Sequence, residues 1–267
     1  MIGYSWLSVY RSLFDPSEPD PSEPVTPEQY FTFDDGTITD YDEVNGPSDV
    51  IIPKQIDGQD VITLSSGSFR SKGLTSVVLP ETLVTIEGSW NTGAFLGNDL
   101  ASVTIGNSVV TIGQQAFRSN ELTYVSIPDS VETLWNHAFR NNKLTSVTIG
   151  NSVEFIGQFA FDTNQLISVT IPDNVTSIMS RAFSNNQLTS VTIGNSVESI
   201  GAWSFENNTD LATITLLPTT PPTLGSGAFN NIGSNRTFIV PQGTLGDYET
   251  ATSWSELYTN HTFEEAE

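Results

Sequence analysis

A repeat of 22 residues is the feature that most restricts how this chain can fold. Each copy follows the form L-x-x-V-x-I-G/P-x-x-V-x-x-I-x-x-x-A-F-x-x-N-x. An earlier copy begins at Leu74 and carries a four-residue insertion near Gly88–Asn91, and a degraded copy begins at Leu211. One such segment cannot bury its own apolar side chains, so a fixed period predicts stacked coils. The regular copies begin at Leu100, Leu122, Leu144, Leu166 and Leu188.

The pattern within a copy predicts how the coils pack. Valine and isoleucine two positions apart point to the same side of a strand, and the following Gly or Pro ends that strand. We expect a solenoid of six to seven coils with one short parallel β-sheet and a spacing of about 4.8 Å between coils. A recurrent asparagine is expected to bond backbone groups where each coil turns back. These asparagines are Asn120, Asn142, Asn164, Asn186, and Asn207 or Asn208.

A second period of 44 residues is superimposed on the first. The coils that begin at Leu100, Leu144 and Leu188 contain I-G-N-S-V and a later glycine. The two coils between them contain I-P-D, with Trp135 and Met179 in place of that glycine. This alternation indicates duplication of a two-coil unit and predicts an alternating side surface.

The repeat resembles the BspA-like (treponemal-type) leucine-rich repeats, whose unit reads roughly L-x-x-V-x-I-P-x-x-V-x-x-I-G-x-x-A-F-x-x-C/N. The resemblance covers about residues 30 to 258, although the repeat here is one residue shorter than the commonest form. It implies a leucine-rich-repeat solenoid of 22-residue coils capped at both ends, and a surface protein implicated in adhesion. The implied divisions are a capping coil (29–73), a repeat body (74–217), a closing coil (218–260) and an acidic tail (261–267).

Composition excludes several functional classes. The chain has 9 Lys+Arg against 31 Asp+Glu, a net charge of −22, which disfavours nucleic acid and anionic lipid as partners. With no cysteine, two histidines and no nucleotide-binding or hydrolase motif, we expect no metal, no cofactor and no catalysis. No apolar run is long enough for direct membrane insertion. A solvated acidic loop is favoured over a calcium site for the carboxylates Asp34, Asp35, Asp40, Asp42 and Glu43.

One variable row of residues is the best candidate for ligand binding. The position before each Ala-Phe pair changes completely while its neighbours stay fixed, which is typical of recognition residues, although padding between adjacent coils is the competing interpretation. Tyr124 is a further candidate, with Trp90 and Trp135 as secondary ones. The uniform Ser/Thr strand positions suit many weak contacts to glycans or polar partners, whereas short curved strands do not form a flat ice-matching plane. The row consists of Gln115, His137, Phe159, Arg181 and Trp203.

The amino-terminal residues suggest a means of attachment. Residues 15–28 (DPSEPDPSEPVTPE) favour an extended polyproline linker, or else a disordered tail. Residues 1–14 lack a basic n-region and a clean cleavage site, so they make a poor secretory signal. Their apolar residues fall at helical spacing and could dock on a partner. These anchor candidates are Ile2, Trp6, Val9, Tyr10 and Leu13.

Two functions therefore remain open. The first is a non-catalytic binding or adhesion module that recognises a host, protein or glycan surface. The alternative is a structural component of a larger assembly, such as a virion fibre or decoration protein, docked through residues 1–14. Both place the solenoid on an extracellular-facing surface, of a cell or a virion.

Deletion of residues 1–14 separates the two functions. If the segment docks the chain on an assembly, the shortened chain stays soluble and monomeric in sedimentation experiments but no longer enters the purified particle. If deletion leaves incorporation unchanged and the solenoid alone binds cells or glycans, the assembly hypothesis is wrong.

Overall fold

The computed structural model describes residues 25–267. Residues 1–14, including Ile2, Trp6, Val9, Tyr10 and Leu13, lie outside the described residues, as does most of the linker. The described chain is a solenoid of short strands with little helix. No helix between residues 25 and 267 has the length and apolar character needed to cross a bilayer.

Twenty-four short strands and two short α-helices make up the described chain, after a 3-10 turn at Glu28–Tyr30. The helices are α1 (Leu245–Thr250) and α2 (Ser255–Tyr258). The strands are β1 (Phe31–Asp34), β2 (Thr37–Tyr41), β3 (Asp49–Ile51), β4 (Gln55–Ile56), β5 (Gln59–Asp60), β6 (Thr63–Leu64), β7 (Ser76–Val78), β8 (Thr85–Ile86), β9 (Gly88–Ser89), β10 (Thr92–Gly93), β11 (Val103–Thr104), β12 (Thr111–Ile112), β13 (Tyr124–Ser126), β14 (Thr133–Leu134), β15 (Ser146–Thr148), β16 (Phe155–Ile156), β17 (Ser168–Thr170), β18 (Ser177–Ile178), β19 (Ser190–Ile193), β20 (Ser199–Ile200), β21 (Thr213–Leu216), β22 (Thr223–Leu224), β23 (Thr237–Val240) and β24 (Thr262–Glu265).

The solenoid is confirmed, but its strands form two arrays rather than the single sheet expected. The V-x-x-I half of each coil supplies the longer array, a ten-stranded sheet in the order β1-β2-β6-β8-β12-β14-β16-β18-β20-β22. All its pairs are parallel except the β1–β2 hairpin. The L-x-x-V-x-I half forms a second array in three pieces, β11-β7-β3, β13-β15 and β17-β19-β21-β23-β24. The valine and isoleucine that are three residues apart in the V-x-x-I half therefore lead into a second strand in each coil. The L-x-x-V-x-I pattern alone does not predict this strand.

The core consists of columns of identical side chains, one from each coil. The phenylalanine of each Ala-Phe pair stacks on its equivalent in the next coil, in an unbroken column from Phe69 to Phe229. Ring centroids within the column are separated by 5.0 Å (Phe69 and Phe95) to 5.6 Å (Phe139 and Phe161). Columns of leucine, valine and isoleucine are buried beside it. The solenoid is therefore stabilised by burial that each coil shares with its neighbours.

The recurrent asparagine is a structural element, as expected. The Asn142 amide donates to the carbonyl of Phe139 in its own coil (3.1 Å) and of Phe117 in the preceding one (2.9 Å). Its Oδ1 accepts the N–H of Leu122 at 3.2 Å. The same bonds recur along the body, and in the last regular coil they are made by Asn208, which settles the choice between Asn207 and Asn208. The row satisfies backbone groups that the turn would otherwise bury without partners.

The 44-residue alternation follows from how unlike turns pack on one another. A Cβ added to Gly150 would lie 2.3 Å from the carbonyl oxygen of Pro128, and one added to Gly194 would lie 2.4 Å from that of Pro172. A coil that follows an I-P-D turn therefore needs glycine at this point. The aspartate of the I-P-D turn also accepts the N–H of the next coil, as Asp129 Oδ1 does from Asn151 at 2.7 Å.

The insertion and both ends have local structures of their own. Strands β9 and β10 pair antiparallel, so the insertion is a small hairpin with Trp90 at its tip. At the carboxyl end, buried Trp254 donates to the carbonyl of Pro222 (2.8 Å) and buried Tyr248 to that of Pro218 (2.8 Å). Residues 261–267, expected as a tail, instead contribute β24, which pairs parallel with β23.

Replacing Asn142 by alanine tests the asparagine row. The change leaves the buried N–H of Leu122 without a partner and removes one of the two amide donors at each of the Phe117 and Phe139 carbonyls, which keep Asn120 and Asn164. We therefore expect a loss of about 2 kcal/mol in the free energy of unfolding. Urea denaturation measures this loss. The matched control is Asn141→Gly, which changes an exposed residue whose φ of 58° glycine tolerates, and should have little effect. Equal losses in the two variants would contradict the assigned role.

Candidate functional site

The variable row lies at a tight turn that requires a left-handed backbone. After most strands of the ten-stranded sheet, an N–H bonds back to the carbonyl three residues earlier, as Ala116 does to Gly113 (3.2 Å). The row residue is the third of the four in this turn, where positive φ favours Gly or Asn. All five members have positive φ, and we call them the left-handed row: Gln115 (58°), His137 (59°), Phe159 (56°), Arg181 (58°) and Trp203 (55°).

Two coils outside this row have the residue that the left-handed turn prefers. Gly67 and Gly227 occupy the equivalent position near the two ends, with φ of 92° and 62°. A bulky residue with positive φ is uncommon and costs about 1 kcal/mol or more. A second left-handed turn follows each phenylalanine, and there the body uses small residues, namely Gly97, Ser119, Asn141, Thr163, Asn185 and Asn207. Large side chains in the left-handed row are therefore retained against the local preference of the backbone.

The side chains of the left-handed row stack into a ladder. The rings of His137 and Phe159 are parallel within 8°, with centroids 4.8 Å apart. The Arg181 guanidinium carbon lies 5.7 Å from the centroid of Phe159 and 4.9 Å from that of Trp203. Stacking covers the faces of these groups and leaves parts of their edges accessible, with Trp203 the most exposed at 37%. Padding of adjacent coils and an accessible surface thus occur in the same residues.

Gln115 differs from the rest of the row because it is buried, at 5% exposure. Its amide nitrogen donates to the carbonyl of Trp90 at 2.5 Å and therefore fixes the insertion hairpin to the body. Its Oε1 accepts a hydrogen bond from Arg118 Nη1 at 2.9 Å. Gln115 thus contributes to the shape of this side and offers no contact surface to a ligand.

Two arginines that the sequence analysis did not select extend the site. Arg118 and Arg140 directly follow the core phenylalanines and lie beside the left-handed row. The Arg140 guanidinium carbon lies 4.8 Å from the centroid of Phe159, and its Nε contacts Asp162 Oδ2 at 2.8 Å. The sequence contained a signal for them, because these two of only 9 Lys+Arg occupy equivalent repeat positions 22 residues apart. With Arg181 they concentrate positive charge on one side of a chain whose net charge is −22.

A cleft continues the surface beyond Trp203. It has a volume of about 480 Å³ and lies between the last coil and the segment that contains α2. Its lining includes Gly225, Gly227, Leu224 and Leu257. A Cβ on Gly227 would lie 2.9 Å from the Trp203 indole, so the glycine leaves room for that ring. The volume is within the range of roughly 300–1,000 Å³ typical of ligand pockets.

The other aromatic candidates are not members of the left-handed row. Tyr124 is on strand β13 of the second array, 49% exposed, among exposed Ser and Thr side chains. Trp135 is 40% exposed and packs edge-on against Phe155, with ring centroids 5.6 Å apart. Trp90, 73% exposed, is at the tip of the insertion hairpin. The structure therefore does not bring Tyr124 together with the left-handed row.

The acidic cluster of the amino-terminal coil has internal partners. Lys72 Nζ lies 3.0 Å from Asp40 and 2.7 Å from Glu43. Asp42 accepts hydrogen bonds from the side-chain amide of Asn45 (2.8 Å) and from the backbone N–H groups of Asn45 and Val44, which lower the pKa of its carboxyl. Within residues 25–267 no cluster of carboxylates and histidines has the arrangement of a metal site. Asp34 and Asp35 lie at the turn of the β1–β2 hairpin, away from this ion-pair group.

The pKa of His137 provides a test of the row's environment. Burial, and then the charges of Arg140 and Arg118, lower this pKa from 6.5 to about 4, against the opposing effect of Asp162. Because the unfolded chain takes up the proton first, the stability from neutral His137 is complete above pH 6.5 and is lost as the pH falls through about 4. An NMR titration should show His137 titrating near pH 4.

The control for this titration is His137→Asn, which suits positive φ and should remove both the resonance and that part of the acid-induced loss of stability. The second histidine, His261, provides an internal reference, because burial and then Arg236 also lower its pKa. A His137 signal that titrates at pH 6.5 or above would contradict this environment.

Comparison with known proteins identifies the repeat. The BspA type leucine rich repeat region family matches residues 62–188 and 132–252, with six copies. No curated protein matches the chain.

Several solved structures are similar, and three of them follow. A leucine-rich repeat protein of Bacteroides ovatus is 17% identical (TM-score 0.48, covering 93% of this chain and 77% of that one). A leucine-rich repeat protein of T. pallidum is 21% identical (TM-score 0.47, 91% and 100%). A leucine-rich cell surface protein of Faecalibacterium prausnitzii is 19% identical (TM-score 0.45, 93% and 96%). The family match extends over well more than half of the chain, and the chain belongs to the BspA-type leucine-rich-repeat proteins.

Proposed function

We propose that this protein is a non-catalytic binding module that recognises a protein partner through the left-handed row. Leucine-rich repeats are typically protein-binding, and repeat solenoids offer extended surfaces for this purpose. The contact surface consists of His137, Phe159, Arg181 and Trp203, flanked by Arg118 and Arg140. Aromatic and arginine side chains of this kind are the types most enriched among residues that dominate binding energy.

One observation carries the proposal. Positive φ at five successive turns is occupied by Gln, His, Phe, Arg and Trp, whereas Gly67, two coils before the row, and Gly227, one coil after it, have glycine at the same point. Strained backbone positions of this kind concentrate at functional sites, because folding alone would favour the unstrained residue. The Ser/Thr strand face shows no comparable conflict between residue type and backbone conformation.

The proposal also concerns where the solenoid is displayed. Recognition of another protein's surface requires an accessible side, and we place it facing outward from a cell or a particle. Docking of residues 1–14 on a larger assembly is compatible with this function, since the left-handed row lies in a different part of the chain.

Selection from a displayed peptide library tests the proposal. The immobilised full chain should enrich specific peptides, and the variants Phe159→Asn and Trp203→Asn should lose them. Asparagine tolerates the positive φ of these turns, so both variants should fold. Affinity of the selected peptides, measured by calorimetry, is expected to fall about tenfold or more for a residue that anchors the contact.

The matched control changes the other candidate surface, the Ser/Thr strand face that contains Tyr124. Tyr124→Ser replaces an exposed aromatic side chain on β13 and should leave the selected peptides bound. Peptides that depend on Tyr124 but not on Phe159 or Trp203 would place recognition on the strand face. Glycan-array binding that persists in the Phe159 and Trp203 variants would likewise overturn the proposed surface.

A further inference from the structure

We propose that Arg181 is a preorganised receptor for a carboxylate, and that the partner segment that binds the left-handed row is an acidic peptide. This inference rests on the proposed function and specifies its ligand. It follows from the way the side chain of Arg181 is held, from what it does not contact, and from the charges around it.

Two aromatic rings hold the guanidinium of Arg181 in place. Its central carbon is 5.7 Å from the ring centroid of Phe159 in the preceding coil and 4.9 Å from that of Trp203 in the next. Arginine stacks well on aromatic faces because its guanidinium is planar and weakly hydrated. A side chain held in this way loses less conformational entropy when it binds, so more of the interaction energy contributes to affinity.

The edge of this guanidinium has no partner. Among residues 25–267 its N–H groups donate no hydrogen bond and form no ion pair, whereas Arg140 contacts Asp162 and Arg118 donates to Gln115. A planar fork of N–H donors matches a carboxylate in bidentate geometry. Stacking fixes the faces of the group and leaves the donors available, which is the arrangement expected of a receptor.

The surrounding charges favour an anion and distinguish this side from the rest of the molecule. The nearest buried carboxylate, Asp162, is already engaged by Arg140 Nε (2.8 Å), Ser184 Oγ (2.5 Å) and Asn185 Nδ2 (2.8 Å). Positive charge from Arg140 and Arg118 is strong enough to contribute to the lowered pKa of His137. Arg118, Arg140 and Arg181 are three of the chain's 9 Lys+Arg and attract a carboxylate to this part of the row. Glu206, which follows Trp203 by one turn, and Glu256 in the cleft repel one at its far end.

The cleft beside Trp203 suggests what should accompany the carboxylate. Leu224 and Leu257 contribute apolar surface to it, and Gly225 and Gly227 leave its floor open. It begins one coil beyond Arg181, so an apolar side chain next to the bound carboxylate can enter it. A segment in which Glu or Asp precedes Leu therefore fits this surface better than a uniformly charged polymer does.

Calorimetric titration of the full chain tests the proposal with the peptide Glu-Leu-Ser-Gly repeated three times and with its Gln-Leu-Ser-Gly counterpart. The glutamate peptide should bind and the glutamine peptide should not. Arg181→Gln should weaken binding about tenfold, as expected when a charge-assisted bidentate contact is lost. Arg181→Lys should also weaken it, because lysine keeps the charge and loses the planar fork. In the bound state the Arg181 Nε–H resonance should shift in NMR spectra.

The matched control is Lys143→Gln, which removes a cation that is paired with Glu121 and is not part of the stacked ladder. Binding that survives Arg181→Gln, or that falls equally in Lys143→Gln, would overturn the proposal. A heparin fragment that binds through Arg181 while the glutamate peptide does not would assign the receptor to sulfated glycans instead. Library peptides that need Phe159 and Trp203 but tolerate Arg181→Gln would contradict this inference and leave the proposed function standing.

Discussion

The close stacking of equivalent side chains in successive coils is the interaction on which the rest of this structure depends. Phenylalanine rings about 5.3 Å apart and asparagines that bond two coils at once require every coil to repeat the same path. Once that path is fixed, each surface position recurs along a straight row. A residue that changes between coils, such as Phe159 or Arg181, then has identical backbone surroundings, and only its side chain differs.

Much of the fold could be predicted from the sequence because stacking leaves a periodic record. The leucine, phenylalanine and asparagine rows predicted the coils. The alternation of I-P-D and I-G-N predicted that two kinds of turn pack against each other along the solenoid. The ten-stranded sheet was missed because most of its strands, such as Thr111–Ile112, are only two residues long and give no alternating pattern. The strand at Thr262–Glu265 was missed because its charged residues resemble a tail, although β23 provides its pairing partner.

The candidate site was only partly predictable. Variation within a constant repeat identified the left-handed row, but not the positive φ that makes its large side chains costly. It also could not show that Gln115 is directed into the insertion hairpin, which depends on the unequal length of one coil. Arg118 and Arg140 were missed because they follow the phenylalanine, outside the variable position. Contacts between coils, rather than residue type, decide which members of the row remain accessible.

The central claim is that the left-handed row is maintained for recognition and not for stability. Urea denaturation of Arg181→Gly and Trp203→Gly tests it most directly, since glycine removes the left-handed strain of about 1 kcal/mol together with stacking of comparable size. We predict that the free energy of unfolding stays unchanged or rises by up to about 1 kcal/mol, because glycine adopts this left-handed conformation without strain. Gly67 and Gly227 already occupy the same position of the turn in other coils. A loss of more than about 2 kcal/mol in each variant would show that the large side chains of the row are retained for stability, and would contradict the account.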